Sequence, residues 1–441
     1  MDIKREKIID TYVFLRDKLY FCQPDFSIDG VEFNSTLMMS LLTGITGKNA
    51  LVYGEYGMGK TTACENIISI LYGLPLEVVL SASIKGHPEQ TEEKMIARPD
   101  LGKLNQGIEE NKWQHSIFVG PKLIDEFNRL PSGKQNILLD GIDRGYWKYL
   151  NEFISYEEDY PMYATCNWKD SGNCDLIPPV LDRFDVAIES KYMGIVNSRK
   201  LRTRSMVNPL KNKKLASKFF ELFNANSGDV LKAITESEEL CEEFRDHMES
   251  ETGLKMLRTN EISTIKEEIA KLPLSEEANL FLDLFLSEVT TCPLYGCKRS
   301  GEACPKGCHY SSYACGKVKN GLSIRAENSI VLYAKALAWL LGQGEAGLEH
   351  VKAVTPYVIW HRINFNKSYA KDFVNDERSE PLKLYITKQM VGAIVKNFTN
   401  LKKEQKNVIF LYTRKKDRQK ADEACMKMDH PVFKQYMVNL V

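Results

Sequence analysis

The chain has 441 residues, 43% of them hydrophobic and 27% charged, proportions that exclude a wholly disordered, collagen-like or coiled-coil chain. That length exceeds what one hydrophobic core organises, so two or three packed units are expected. Lys plus Arg and Asp plus Glu each total 59, and no global field draws the chain to nucleic acid or an anionic membrane.

The first residues, Met1-Asp2-Ile3-Lys4-Arg5-Glu6-Lys7, are charged and lead into no apolar core. No signal peptide is read there, and a cytoplasmic protein is expected. Up to residue 191, short apolar runs alternate with helical patterns, the rhythm of an αβα layer around a parallel sheet. Residues 1–191 are therefore expected to form a nucleotide-binding subdomain with an N-terminal helix. Within it, Asn49-Ala50-Leu51-Val52-Tyr53 suits a buried strand and enters Gly54-Glu55-Tyr56-Gly57-Met58-Gly59-Lys60-Thr61, a Walker A pattern. Gly54, Gly57 and Gly59 let backbone N–H groups turn around phosphates, Lys60 brings charge to the β and γ oxygens, and Thr61 offers a hydroxyl to Mg²⁺. The helix expected from about Thr62 points its positive end at the same phosphates, so Thr62 joins the candidate binding residues.

Residues 83–91 and 100–113 read as an insertion, in which His87 has no second ligand nearby and is a polar loop residue. Leu123-Ile124-Asp125-Glu126 ends an apolar run in two carboxylates. Asp125 would orient a Mg²⁺ shell and Glu126 would activate an attacking water; two acids capping the next helix are the plainer alternative. Pro121 cannot donate to a ladder, so this strand is expected to start at Lys122. Residues 145–154 suit a hairpin whose aromatics cover the core.

Residues 192–371 read as mainly helical and are assigned to a second, helical subdomain. The acidic stretch 236–251 is a solvated helix face. The apolar stretch 331–341, interrupted by Lys335, is too short to cross a bilayer and reads as a buried helix. Residues 372–441 form a mixed, Lys-rich extension, whose basic run near Lys402 is also solvated surface.

Five of the eleven cysteines fall between Cys292 and Cys315. In a reducing compartment that density points to metal rather than disulfides. Cys292, Cys297, Cys304, Cys308, His309 and Cys315 offer five thiols and an imidazole on a Gly- and Pro-rich loop, 292–315. Four of them could converge on Zn²⁺, or four thiolates could hold a 4Fe–4S cluster. Spacing leaves the metal and the choice of four ligands open. A structural staple, a client-facing knob and a redox sensor are all compatible roles.

Several motifs together resemble one family. Asp125-Glu126-Phe127-Asn128-Arg129-Leu130-Pro131 looks like the Walker B element of MoxR-type AAA+ ATPases, in the clade with an insertion in helix 2. Met162-Tyr163-Ala164-Thr165-Cys166-Asn167-Trp168 resembles its sensor 1 strand, although Cys166 and Trp168 stand where Gln and Pro are usual. Leu181-Asp182-Arg183-Phe184-Asp185 resembles the arginine-finger motif, Gly321-Leu322-Ser323-Ile324-Arg325-Ala326 sensor 2, and His361-Arg362-Ile363 the end of the lid. The resemblance implies ATP and Mg²⁺ as ligands and catalytic roles for Glu126, Asn167, Arg183 and Arg325. Arg183 would serve a neighbouring subunit, which implies a homo-oligomeric ring, hexameric in this family. It further implies a chaperone-like remodeler of protein complexes, with a von Willebrand factor A domain protein among the partners such ATPases take. A nucleic-acid-acting NTPase motor of restriction type is the alternative, against which the neutral charge weighs; a nucleotide-switched scaffold that does not hydrolyse is a further one.

Overall fold

The structure is a computed structural model that describes residues 2–168, 176–203, 208–292, 296–298 and 308–439. Its centre is a five-stranded parallel sheet, whose strands we number β1 (Asn49–Gly54), β2 (Ile84–Lys85), β3 (Lys122–Asp125), β4 (Met162–Asn167) and β5 (Val186–Glu189). They lie in the order β5-β1-β4-β3-β2. Ala50, Leu51 and Val52 of β1 and Met162, Tyr163 and Ala164 of β4 are fully buried, as befits a parallel sheet covered on both faces by helices. Met162 pairs with Asn49 and Asn167 with Gly54, while Lys85 pairs with Asp125. This register gathers the last residues of β1, β4, β3 and β2 at the carboxyl edge of the sheet, where ligands of open α/β sheets bind.

β3 begins at Lys122, as Pro121 requires. Lys122 itself is almost completely buried. Its ammonium donates to the Val119 carbonyl and to the Tyr156 hydroxyl, and burial pushes its pKa well below the usual lysine range. Tyr156 and the ring of Trp147 cover it, and Trp147 stands on the expected hairpin, Tyr146–Tyr149 paired with Glu152–Ser155.

The chain divides into two compact units, residues 1–271 with 340–342, and residues 272–339 with 343–441. The division falls at 271/272 rather than at 191/192, because the helices Lys213–Ala225, Val230–Thr252 and Thr259–Lys271 pack with the sheet-bearing unit. The Leu76 N–H donates to the Leu210 carbonyl and the Trp113 N–H to Ser227, and the Asn212 N–H donates to Glu77. At the N-terminal helix, Lys7 pairs with Glu261 at 2.7 Å. The acidic helix is a solvated face, as read, with Glu242 and Asp246 answered by Arg258.

Among its described residues the second unit is mainly helical, with a short ladder of Thr291–Cys292 against Gly296–Lys298. The C-terminal residues are helical as well: Leu382–Phe410, Arg418–Met426 and Pro431–Asn439. The expected mixed extension is corrected here, since residues such as Ile386, Thr387, Val391 and Ile394 are buried in a helix-packed core. Lys402 and Lys406 pair with Glu277 and Glu276 on the surface, while Gln405 between them is fully buried.

A buried carboxylate ties this unit together. Glu288, in helix Glu276–Thr290, accepts from the Ala314 N–H, from Asn397 Nδ2 and from His430 Nε2. The Val432 N–H donates to His430 Nδ1, so the proton sits on Nε2 of a neutral imidazole. Glu288→Ala leaves two buried donors, the Ala314 N–H and His430 Nε2, and the half-buried Asn397 amide unanswered. It should lower the unfolding free energy by about 3 kcal/mol, measured by urea unfolding of the full chain; a loss below about 0.5 kcal/mol, typical of a surface change, would refute the network's role.

Candidate nucleotide site

The turn between β1 and the helix Lys60–Tyr72 is built from glycine for a steric reason. Gly59 lies at φ 76°, and a Cβ there would sit 3.1 Å from the ring of Tyr20, so both the backbone and the available space exclude larger residues. Gly54 and Gly57 also have positive φ. Lys60 is buried, and its ammonium donates to the carbonyls of Gly54 at 3.0 Å and Glu55 at 2.8 Å. Burial lowers its pKa, against the pull of Asp125 and Glu126. Thr62 is exposed on the first helical turn.

Two hydroxyls converge on one carboxylate oxygen. Thr61 Oγ1 donates to Asp125 Oδ1 at 2.7 Å, and Thr165 Oγ1 donates to the same oxygen, also at 2.7 Å. Thr165 then accepts from the Glu126 N–H at 3.0 Å. Asp125 and Glu126 are thus held by a strand residue to which the sequence reading gave no role of its own. Period-two alternation gave a signal, because Thr165 stands two residues before Asn167 and shares its face of β4.

Glu126 adopts a left-handed backbone, φ 55° and ψ 45°, which costs a non-glycine residue roughly 1–3 kcal/mol. Its side chain is clamped from both sides: Asn167 Nδ2 donates to Oε1 at 2.9 Å, and Arg129 meets Oε2 at 3.0 Å. The Asn128 amide donates to the Asn167 carbonyl, fixing that strand end. Gly86 closes the arrangement from β2. Its N–H donates to the Asp125 carbonyl, and a Cβ on it would lie 2.0 Å from the Glu126 carbonyl oxygen. Arg129, Thr165 and Gly86 were not singled out from the sequence.

Arg183 lies elsewhere. Its carbonyl accepts from the Asn49 side chain at the start of β1, whereas the glycine loop follows the end of that strand. Five strand steps of about 3.3 Å separate those ends, roughly 17 Å, more than an arginine side chain spans. Its guanidinium is bound by Asp140 at 2.9 Å and Asp143 at 3.5 Å. Arg325 belongs to the second unit, in the first turn of helix Ile324–Leu340, where the Ser329 hydroxyl donates to its carbonyl.

The cysteine loop falls partly outside the described residues, which exclude Cys304 and the side chain of Cys297. Cys292 and Cys308 are free thiols. Cys315 is buried and donates to the Tyr310 carbonyl, and His309 Nε2 lies 2.6 Å from Asp429. Among the described residues, no three His, Cys, Asp or Glu side chains gather as a metal would require.

Residues 311–382 match a family described as the AAA lid domain. In three dimensions the chain is similar to a solved structure from Cytophaga hutchinsonii named as a "putative ATPase", with a TM-score of 0.58 at 18% identity, covering 89% of this chain and 94% of that one. The chain has an AAA+ fold. Its helical lid lies in the second unit, and the matched span begins after most of the cysteine loop, taking in only Cys315 of the six candidate ligands. No curated protein matches the chain in sequence. Among the described residues, no single helix is long and apolar enough to cross a membrane.

In this AAA+ fold the contact of Gly86 with Glu126 is the tightest steric constraint around the acidic pair. Gly86→Ala should lower stability by about 2–3 kcal/mol, read from the urea midpoint of the full chain. An unchanged midpoint would show that β2 can retreat from Glu126 without cost.

Proposed function

We propose that the protein is a Mg²⁺-dependent ATPase that works as a homo-oligomeric ring and remodels protein complexes, as MoxR-type AAA+ proteins do. The observation that carries this reading is the meeting of the Thr61 and Thr165 hydroxyls on Asp125 Oδ1 beside a clamped Glu126. A hydroxyl and a carboxylate oxygen 2.7 Å apart are hard donors suited to Mg²⁺. The ion would draw charge from the phosphoryl oxygens.

The chain's own groups supply the rest. Backbone N–H groups of 54–59 and the start of helix Lys60–Tyr72 receive phosphate oxygens, and Lys60 exchanges its two carbonyl partners for them. Glu126 takes a proton from the attacking water, and Asn167, already bonded to Oε1, orders Glu126 for that contact. Arg183 sits too far from its own glycine loop and serves a neighbour, exchanging Asp140 and Asp143 for developing phosphoryl charge. Arg325 would read the nucleotide from the lid.

Two hairpins suit the grip on a client. The hairpin Ala97–Pro99 with Asn111–Trp113 is fastened to the hairpin 146–155 through Glu152, which accepts from the Asn111 N–H and from Trp113 Nε1. Their loops expose Leu101, Leu104, Ile108, Leu150 and Phe153, an apolar surface for a non-polar protein segment. Free thiols such as Cys64, Cys166 and Cys425 are compatible with a cytoplasmic setting.

Glu126→Gln should bind ATP with turnover at least about a hundredfold lower, and Lys60→Ala should lose binding in a fluorescent-nucleotide titration; normal turnover in Glu126→Gln would refute the assigned base. Arg183→Ala should slow turnover about a thousandfold. Mixing it with Lys60→Ala should restore activity, because each then supplies what the other lacks, and no recovery at any ratio would remove action across subunits.

We also propose that the cysteine loop holds Zn²⁺ or an iron–sulfur cluster as a structural staple. Cys304→Ser with Cys308→Ser should then lose bound metal in elemental analysis of the purified protein, and unchanged metal content would refute the site.

A further inference from the structure

We propose that Tyr20 is a positioning residue for nucleotide binding, acting on the glycine loop through Ser190; this rests on the reading of residues 54–61 as a phosphate site. The two hydroxyls stand in series. Tyr20 and Ser190 are both buried, and their oxygens lie 2.6 Å apart. Ser190 Oγ lies 2.6 Å from the Met58 carbonyl, to which it donates. A serine hydroxyl has one proton, and Ser190 uses it on Met58, so the Tyr20 hydroxyl donates to Ser190. Burial pushes the Tyr20 pKa upward, which keeps the phenol a donor throughout the working range.

Met58 lies between Gly57 and Gly59, both with positive φ. Its carbonyl is turned towards Ser190, and the peptide units that flank it set where the loop's N–H groups point. The Tyr20 ring lies against Gly59 as well, within 3.1 Å of where a Cβ would stand. Segments remote in sequence thus brace the loop: residue 20, after the N-terminal helix, and residue 190, after β5.

Each brace is itself anchored. The Tyr20 N–H donates to the Leu15 carbonyl. The Ser190 N–H donates to the Tyr53 carbonyl at the end of β1. Asp25, five residues on from Tyr20, accepts from the Ser35 N–H and hydroxyl and pairs with Lys191 at 3.1 Å. With its foundations fixed, the relay pre-sets the loop before nucleotide arrives. That lowers the ordering cost of binding and leaves the chemical step to other residues.

The test compares Tyr20→Phe, Ser190→Ala and the double variant with the wild type, using fluorescent-ATP binding and steady-state hydrolysis. Each single change should raise Kd and KM about tenfold, one hydrogen bond to the loop in scale, with kcat within about twofold. Because the bonds act in series, the double variant should be no worse than either single one. Unchanged Kd in both single variants overturns the relay, and so does a multiplicative loss in the double variant, which would mean two independent packing defects. A fall in kcat at unchanged KM overturns it too. Wild-type protein that binds no ATP would refute the phosphate site itself, a result distinct from a wild type that binds while its variants do not shift.

Discussion

One oxygen, Oδ1 of Asp125, organises the carboxyl edge of the sheet. It receives a hydroxyl from the helix after β1 and another from β4, so three elements are fixed to one another around a single acceptor. Thr165 is almost wholly buried, so its hydroxyl would be costly to leave without a partner. The same Thr165 hydroxyl then holds the Glu126 N–H, which helps keep a residue at positive φ that would otherwise relax. A residue at positive φ and an ordered carboxylate therefore depend on the same hydroxyl.

The glycine loop and the acidic pair were legible in the sequence because their geometry is local. A glycine where φ is positive, and a lysine and threonine immediately after, need only a strand before and a helix behind them. Asn167 was reached through the resemblance of its strand to a sensor 1 motif, and it stands at the end of β4. Thr165, Arg129 and Gly86 act on Glu126 from positions that are unremarkable in one dimension: a threonine on an apolar strand, an arginine after an acid, a glycine before His87. What selects them is the register of β2, β3 and β4, which spacing along the chain does not reveal.

The helical half shows the opposite limit. Residues 382–410 carry β-branched side chains such as Ile386, Thr387, Val391 and Ile394, whose intrinsic preference gives a mixed reading. All four are buried in one long helix, so packing overrides propensity. The three helices from 213 to 271 look like lid from composition alone. Their anchoring to the first unit rests on backbone bonds such as that from Leu76 to Leu210, and these follow from docking rather than from any local pattern. Lys122 is a similar case, since its burial depends on aromatic rings some 25 and 34 residues downstream.

Gly86 stands where β2 ends and the chain departs into its long insertion, with no room for a methyl group above the Glu126 carbonyl. The root and the tip of that excursion are thus under unequal steric constraint. Farther out, Leu101, Leu104 and Ile108 are exposed and meet no such wall. At its root any side chain would strike the Glu126 carbonyl, so a substitution there has to move backbone, whereas one at the tip changes only a surface.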